Sequence, residues 1–93
     1  MKKSIIQGNI KITLFTESLI VKGKGKTYFV IQLRDRDQRL PFYERKFYNL
    51  ETKEVNTNEE VVSGLNQLAK SVYPNQKLDF SEVIKLVKAF KDN

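Results

Sequence analysis

The chain has 93 residues, 40% of them hydrophobic and 30% charged, a formal net charge of +6, and neither cysteine nor histidine. This length suits one small domain, and the apolar content argues against a disordered chain. Because disulfides, thiol nucleophiles, imidazole bases and Cys or His metal ligands are excluded, we predict a non-enzymatic protein without catalytic residues, metal or cofactor.

Hydropathy along the chain indicates neither a secretion signal nor a membrane segment. The basic start Met1-Lys2-Lys3-Ser4 is followed by only two apolar residues, Ile5-Ile6, far fewer than the apolar region of a signal peptide contains. No apolar run approaches the length that crosses a bilayer. We therefore expect a cytoplasmic protein that does not associate with membranes.

The first half of the chain has the alternation of residue types that is typical of β-strands. Ile10, Ile12 and Leu14 recur at every second position, and Gly23-Lys24-Gly25 supplies flexible residues for a hairpin turn. We predict an antiparallel meander of four or five strands, at residues 10–15, 19–22, 27–33 and 42–50, with residues 4–7 as a short edge strand.

The second half has the spacing of two helices with capping signals at their starts. Thr57-Asn58-Glu59-Glu60 matches a capping box, in which a threonine hydroxyl and a glutamate carboxylate bind backbone amides of the first turn. Asp79-Phe80-Ser81-Glu82 matches a second box. Helically spaced apolar residues follow each box, and Pro74 ends the first run: Val61, Leu65, Leu68 and Val72, then Phe80, Val83, Ile84, Val87 and Phe90.

A block of strands followed by a block of helices predicts the α+β class. We interpret residues 1–93 as a single domain, with a sheet over residues 1–50 and two C-terminal helices over residues 57–92 packed on it. The sheet face under the helices would hold Ile10, Ile12, Leu14, Phe29, Ile31 and Leu33. The second face would hold Lys11, Thr13, Tyr28, Val30, Tyr43, Arg45 and Phe47.

The mixture of aromatic rings and cations on that second face favours nucleic-acid binding. Unpaired bases stack on such rings for about 1–3 kcal/mol each, while basic groups follow the phosphates. The same rings would also suit burial in a homodimer or in an ordinary core. We therefore keep self-association and core packing as alternatives to base stacking.

Positive charge is concentrated near the N-terminus. Residues 1–33 contain six lysines and one glutamate, and three of these lysines surround the glycines of the predicted hairpin tip. Lysines there could contact a phosphate backbone, although they could also serve solubility alone. We predict a small accessory domain that binds nucleic acid, single-stranded DNA or RNA in preference, through Lys11, Lys22, Lys24, Lys26, Tyr28, Tyr43, Arg45 and Phe47.

All four arginines lie in one window, from Arg34 to Arg45, which we predict to be mostly loop. Arginine is enriched among the residues that dominate protein interfaces, and Asp35 and Asp37 give this window a mixed charge pattern. The alternative prediction is a protein-binding adaptor or inhibitor, of the phage or plasmid accessory type, that contacts a larger protein machine. Its contact residues would be Arg34, Arg36 and Arg39.

Overall fold

The structure, a computed structural model, describes residues 1–71 and 77–91. Over these residues it confirms the predicted α+β arrangement, a four-stranded antiparallel meander followed by two helices. The chain divides into two compact units, Met1–Val55 with the strands and Asn56–Asn93 with the helices. That the two units belong to one domain stays a prediction.

The described strands form one sheet in the order β1-β2-β3-β4, in which each strand is antiparallel to its neighbour. Their bounds are β1 Lys2–Gln7, β2 Ile10–Val21, β3 Lys24–Asp35 and β4 Tyr43–Lys46. The predicted edge strand at residues 4–7 is confirmed as β1 and begins two residues earlier.

β2 is one continuous strand where the sequence pattern predicted two. Residues 16–18, which separate the predicted strands, pair with residues 27–29 of β3, so the ladder is not interrupted. Within this stretch the Tyr28 hydroxyl donates a 2.6 Å hydrogen bond to Oε2 of Glu17. Glu17 interrupts the apolar pattern of the sequence, but its carboxylate is hydrogen-bonded to Tyr28 on β3. The strand therefore continues through this position.

The turn between β2 and β3 consists of Lys22 and Gly23, so the predicted turn at Gly23-Lys24-Gly25 is wrong. Two-residue hairpin turns of type I′ need positive φ at both central positions. Lys22 has φ 52° and Gly23 has φ 78°, so a lysine takes a conformation that usually favours glycine or asparagine. Gly25 belongs to β3.

β4 ends at Lys46, four residues before the predicted end of the strand at Leu50. Beyond it, Tyr48 forms an isolated antiparallel bridge with Val55. The side-chain oxygen of Asn49 accepts the backbone N–H groups two and three residues later, at 2.9 and 3.0 Å. This side-chain capture of the backbone favours a turn over a longer strand.

One face of the sheet is apolar, and its predicted members are confirmed. Cross-strand pairs share a face, and the register places Leu14 opposite Ile31 and Ile12 opposite Leu33. We name this side the apolar face. Its buried members in β2 and β3 are Ile10, Ile12, Leu14, Phe29, Ile31 and Leu33.

The predicted orientation of the side chains from Tyr43 to Phe47 is wrong, because each of them points to the other face of the sheet. Tyr43 pairs with Leu33 and Arg45 with Ile31, and the Phe47 N–H donates to the Phe29 carbonyl at 2.9 Å. Tyr43, Arg45 and Phe47 therefore lie on the apolar face and not beside Lys11, Thr13, Tyr28 and Val30, as predicted.

The helices are α1 Asn58–Ser71 and α2 Ser81–Ala89, and the first capping box is confirmed. The Glu60 N–H donates to the Thr57 hydroxyl at 3.2 Å, while the Thr57 N–H donates to the Glu60 carboxylate at 2.9 Å. Neither helix, in the part of the chain that the structure describes, is long and apolar enough to cross a membrane. The predicted helix positions Val72 and Pro74 lie outside the described residues.

The start of α2 differs from the predicted box by one position. Phe80 occupies the cap and makes no side-chain cap hydrogen bond, whereas the Asp79 carboxylate accepts the Ser81 N–H at 2.9 Å. Hydrogen bonds from the backbone N–H and hydroxyl of Ser81 lower the pKa of Asp79.

Asn58 joins the two helices of the second unit. Its side-chain amide donates to the carbonyls of Val87 at 2.9 Å and Phe90 at 2.8 Å, at the C-terminal end of α2. The last carbonyls of a helix lack the usual N–H partners within the helix, and the Asn58 amide supplies donors to these two. Among the residues of this unit that the structure describes, the buried side chains are Val61, Leu65, Leu68, Leu78, Phe80, Val83 and Val87.

Acidification should weaken the capping box of α1. Hydrogen bonds from the backbone and hydroxyl of Thr57, and from the Asn56 amide, lower the pKa of Glu60 below its usual 4.5. Because the folded pKa lies below the unfolded one, this stabilisation is fully present above about pH 4.5 and is lost as the pH falls through the folded pKa.

We therefore expect Glu60→Gln, which keeps an acceptor oxygen but does not titrate, to lose less stability than the wild type between about pH 6 and pH 3. Urea midpoints measured across this range check the expectation. Glu59→Gln is the control, because it removes the same charge from the same helical turn. Equal acid sensitivity of the wild type and Glu60→Gln would contradict the prediction.

Candidate nucleic-acid interface

The face of the sheet opposite the apolar face carries most of the positive charge of the strands. We name it the basic face, and it comprises the strand residues on the side of Lys11. Its charged residues are six cations and two acids, a net formal charge of +4, against +1 from two cations and one acid on the apolar face. These residues are Lys2, Lys11, Lys24, Lys26, Arg34 and Lys46, with the acids Glu17 and Glu44.

The cations of the four-stranded part lie in two rows. Lys2 on β1 and Lys46 on β4 are exposed and stand at the ends of a row that crosses the sheet through Phe15. Lys11 and Arg34 are half-buried cross-strand neighbours in the second row. Four residues along a strand separate the rows, which is about 13 Å. The cations thus surround the middle of the face.

Arg34 is held in place by a chain of hydrogen bonds. Its Nη2 donates to the Gln32 side-chain oxygen at 3.0 Å, and Gln32 donates in turn to Glu44 at 2.7 Å. Its Nη1 donates to the Arg39 carbonyl at 3.0 Å. The predicted loop position of Arg34 is therefore wrong: it lies within β3, and its side chain binds the loop to the sheet.

Tyr28 lies beside these rows and contacts Tyr48 and Glu17, and Glu17 in turn contacts Lys46. Its ring centroid lies 4.7 Å from that of Tyr48, and Lys46 Nζ lies 3.8 Å from Oε2 of Glu17, which also accepts the Tyr28 hydroxyl. The hydrogen bond to Glu17 and burial raise the pKa of Tyr28 to about 12. With 5% of its surface exposed, Tyr28 stays protonated at neutral pH and offers little ring area for stacking.

Sequence comparison gives no family for this arrangement. No protein-family model matches the chain, and comparisons with curated proteins and with solved structures find no significant match.

The predicted contact residues are only partly brought together. Lys11, Lys24, Lys26 and Tyr28 share the basic face, and Lys22 lies in the turn that ends it. Tyr43, Arg45 and Phe47 lie on the opposite side, where the Arg45 guanidinium carbon is 4.8 Å from the centre of the Phe47 ring. Phe47 is 1% exposed, so it cannot stack on a base without unfolding.

Several residues of the basic face were missed by the sequence analysis. Lys46 and Glu44 are charged residues of β4, but Arg45 between them is charged and exposed as well, so the sequence of this strand shows no alternation that would indicate which way Phe47 points. Lys2 was assigned to no strand, and Arg34 was assigned to the loop. The residues that the structure adds are Lys2, Phe15, Arg34 and Lys46, with Tyr48 at the edge.

The loop between β3 and β4 is joined to the basic face by the hydrogen bond from Arg34 to the Arg39 carbonyl. Arg36 and Arg39 are exposed there, next to Leu40, which is 81% exposed. The Arg36 N–H donates to the Asn9 carbonyl at 2.7 Å, which ties the loop base to the β1–β2 turn. Of the three arginines predicted to contact a protein, two therefore remain available in the loop.

Proposed function

We propose that the protein is a non-enzymatic accessory domain that binds single-stranded nucleic acid across the basic face. The observation that carries this proposal is the segregation of charge, +4 on one face of the sheet and +1 on the other. A phosphate backbone that crosses Lys2, Lys11, Arg34 and Lys46 would release counterions from each contact. The predicted cytoplasmic location places nucleic acids within reach.

The width of the sheet supports a single strand as the ligand. Four strands at spacings of about 4.8 Å span about 14 Å between the outer backbones, whereas the major groove of DNA is about 12 Å wide and admits a helix or a two-stranded ribbon. The whole face is therefore too broad to enter a groove. A flexible single strand can instead follow the exposed cations around the buried Thr13, Tyr28 and Val30 of this face.

Stacking is a smaller part of this proposal than the sequence pattern predicted. The middle of the Lys2–Lys46 row consists of Phe15, which is half-buried, and Val30, which is fully buried. Tyr48 is half-buried and packs against Tyr28. Binding that depends on phosphates and one or two partly exposed rings should show little base preference.

The test is fluorescence anisotropy with a labelled single strand of about 16 nucleotides, repeated over a range of salt concentrations. Four phosphate contacts predict that the logarithm of the association constant falls with the logarithm of salt concentration with a slope of about −3. Single strands of DNA and RNA should both bind, and a blunt duplex should bind less tightly. The absence of binding at low salt would overturn the proposal.

A second candidate function rests on the loop between β3 and β4. Its exposed Arg36 and Arg39 carry guanidinium groups, which are enriched in protein interfaces, and the exposed Leu40 lies next to them. A protein that shows no affinity for nucleic acid at low salt would favour this adaptor or inhibitor function.

A further inference from the structure

We infer that the tip of the β2–β3 hairpin binds duplex nucleic acid directly beside the bound single strand, so that the preferred ligand is a junction between single and double strands. This inference rests on the proposed function. The tip, which we name the arm, comprises residues 18–27. It contains Lys22, Lys24 and Lys26 and no acidic residue.

The arm extends beyond the ends of the neighbouring strands. The last pair between β1 and β2 joins Lys2 to Phe15, and the Thr16 N–H reaches the Met1 carbonyl. On the other edge, β3 pairs with β4 only from Val30 onward, with one further bond at Phe29. Of the described strands, only β2 and β3 continue into the arm.

The sheet narrows from four strands to two at the arm, so the arm can enter a groove of nucleic acid that the rest of the sheet cannot. A two-stranded ribbon fits the major groove of a duplex, whereas the four-stranded part of the same sheet is too broad. Lys24 and Lys26 lie on the basic face, so positive charge continues from the broad part into the arm. One continuous surface can therefore contact a single strand along its width and a duplex at its tip.

Gly25 lies on the side of the arm that faces away from the lysines. It opposes Ile20, which is 74% exposed, and both residues continue the apolar face, whereas Lys24 and Lys26 lie on the basic face. A Cβ placed on Gly25 would meet no atom within 4 Å. A side chain can therefore be added to the arm on the side away from the lysines.

The experiment compares three labelled oligonucleotides: a single strand of about 16 nucleotides, a blunt duplex, and a duplex of about one helical turn that carries a single-stranded overhang. We expect the junction to bind at least about tenfold more tightly than either simple form, because linked contacts add avidity. Lys24→Ala with Lys26→Ala should abolish this preference and reduce the salt slope for the junction by about 1.8.

Gly25→Val is the matched control, because its side chain lies on the same strand but points away from Lys24 and Lys26. It should keep the junction preference and leave the thermal unfolding temperature equal or higher, since valine favours strands and the site is open. A junction preference that survives Lys24→Ala with Lys26→Ala would overturn the inference.

The outcomes separate this inference from the proposed function. Binding to the single strand without any preference for the junction overturns the role of the arm and leaves the basic face as the binding surface. Failure to bind all three oligonucleotides at low salt overturns both.

Discussion

Replacing Phe47 with alanine is expected to lower the free energy of unfolding of the strand unit by about 3–5 kcal/mol. Phe47 is 1% exposed, and its backbone N–H binds the Phe29 carbonyl on the apolar face. Removing a buried aromatic ring forfeits the transfer of its surface from water and leaves a cavity that neighbours fill only in part. The loss should appear as a lower urea midpoint.

Two further variants make this result specific. Phe47→Leu keeps most of the volume and should lose less stability, so that a folded protein remains available if the alanine variant unfolds. Tyr43→Ala, four residues earlier on the same face but half-buried, should also cost less than Phe47→Ala. If Phe47→Ala keeps wild-type stability but loses affinity for nucleic acid, the ring serves the ligand and not the core.

The phase of β4 shows where the sequence pattern reaches its limit. Aromatic residues in this strand and directly after it lie on both sides, with Tyr43 and Phe47 on one face and Tyr48 on the other. Which face each side chain occupies depends on the register in which β4 pairs with β3 after the preceding loop. A shift of this register by one residue moves every side chain of β4 to the other face. Leu33 pairs with Tyr43, a register that no pattern within β4 itself determines.

The turn at Lys22-Gly23 was missed for a related reason. Glycines at two nearby positions predict a flexible turn centred between them, but the ladder that runs from Ile10 opposite Asp35 to Val21 opposite Lys24 confines the turn to Lys22 and Gly23. The long-range pairing holds Lys22 at φ 52°. Tertiary pairing therefore overrides the local preference, and the arm gains Lys24 and Gly25 as strand residues.

The features that were predicted correctly depend on local or strongly periodic signals. The capping box of α1 involves Thr57 and Glu60, three residues apart, so its geometry is contained in the sequence itself. The apolar alternation of β2 and β3 identifies their buried side without knowledge of the register. The charge on the basic face combines residues from all four strands, and only the register brings Lys2 and Lys46 into one row.

Charge reversal on the basic face should have the largest effect on function. We expect Lys2→Glu combined with Lys11→Glu to weaken single-strand binding by roughly a hundredfold to a thousandfold at low salt. One charge pair at 4 Å in water is worth about 1 kcal/mol, and reversal replaces this attraction with a similar repulsion at each of two sites. The fold should tolerate the change, because position 11 faces the Arg34 guanidinium across the strands and position 2 is exposed.

The control is Lys85→Glu combined with Lys91→Glu. Both lysines are exposed and lie outside the sheet, and either double variant changes the formal net charge from +6 to +2 by reversing two cations. If only the total charge attracts nucleic acid, the two variants should lose equal affinity. If the basic face is the binding surface, the control should stay close to the wild type while the face variant loses binding and most of its salt dependence. Equal losses would mean that abundant lysines, and not their arrangement on the sheet, account for any affinity observed.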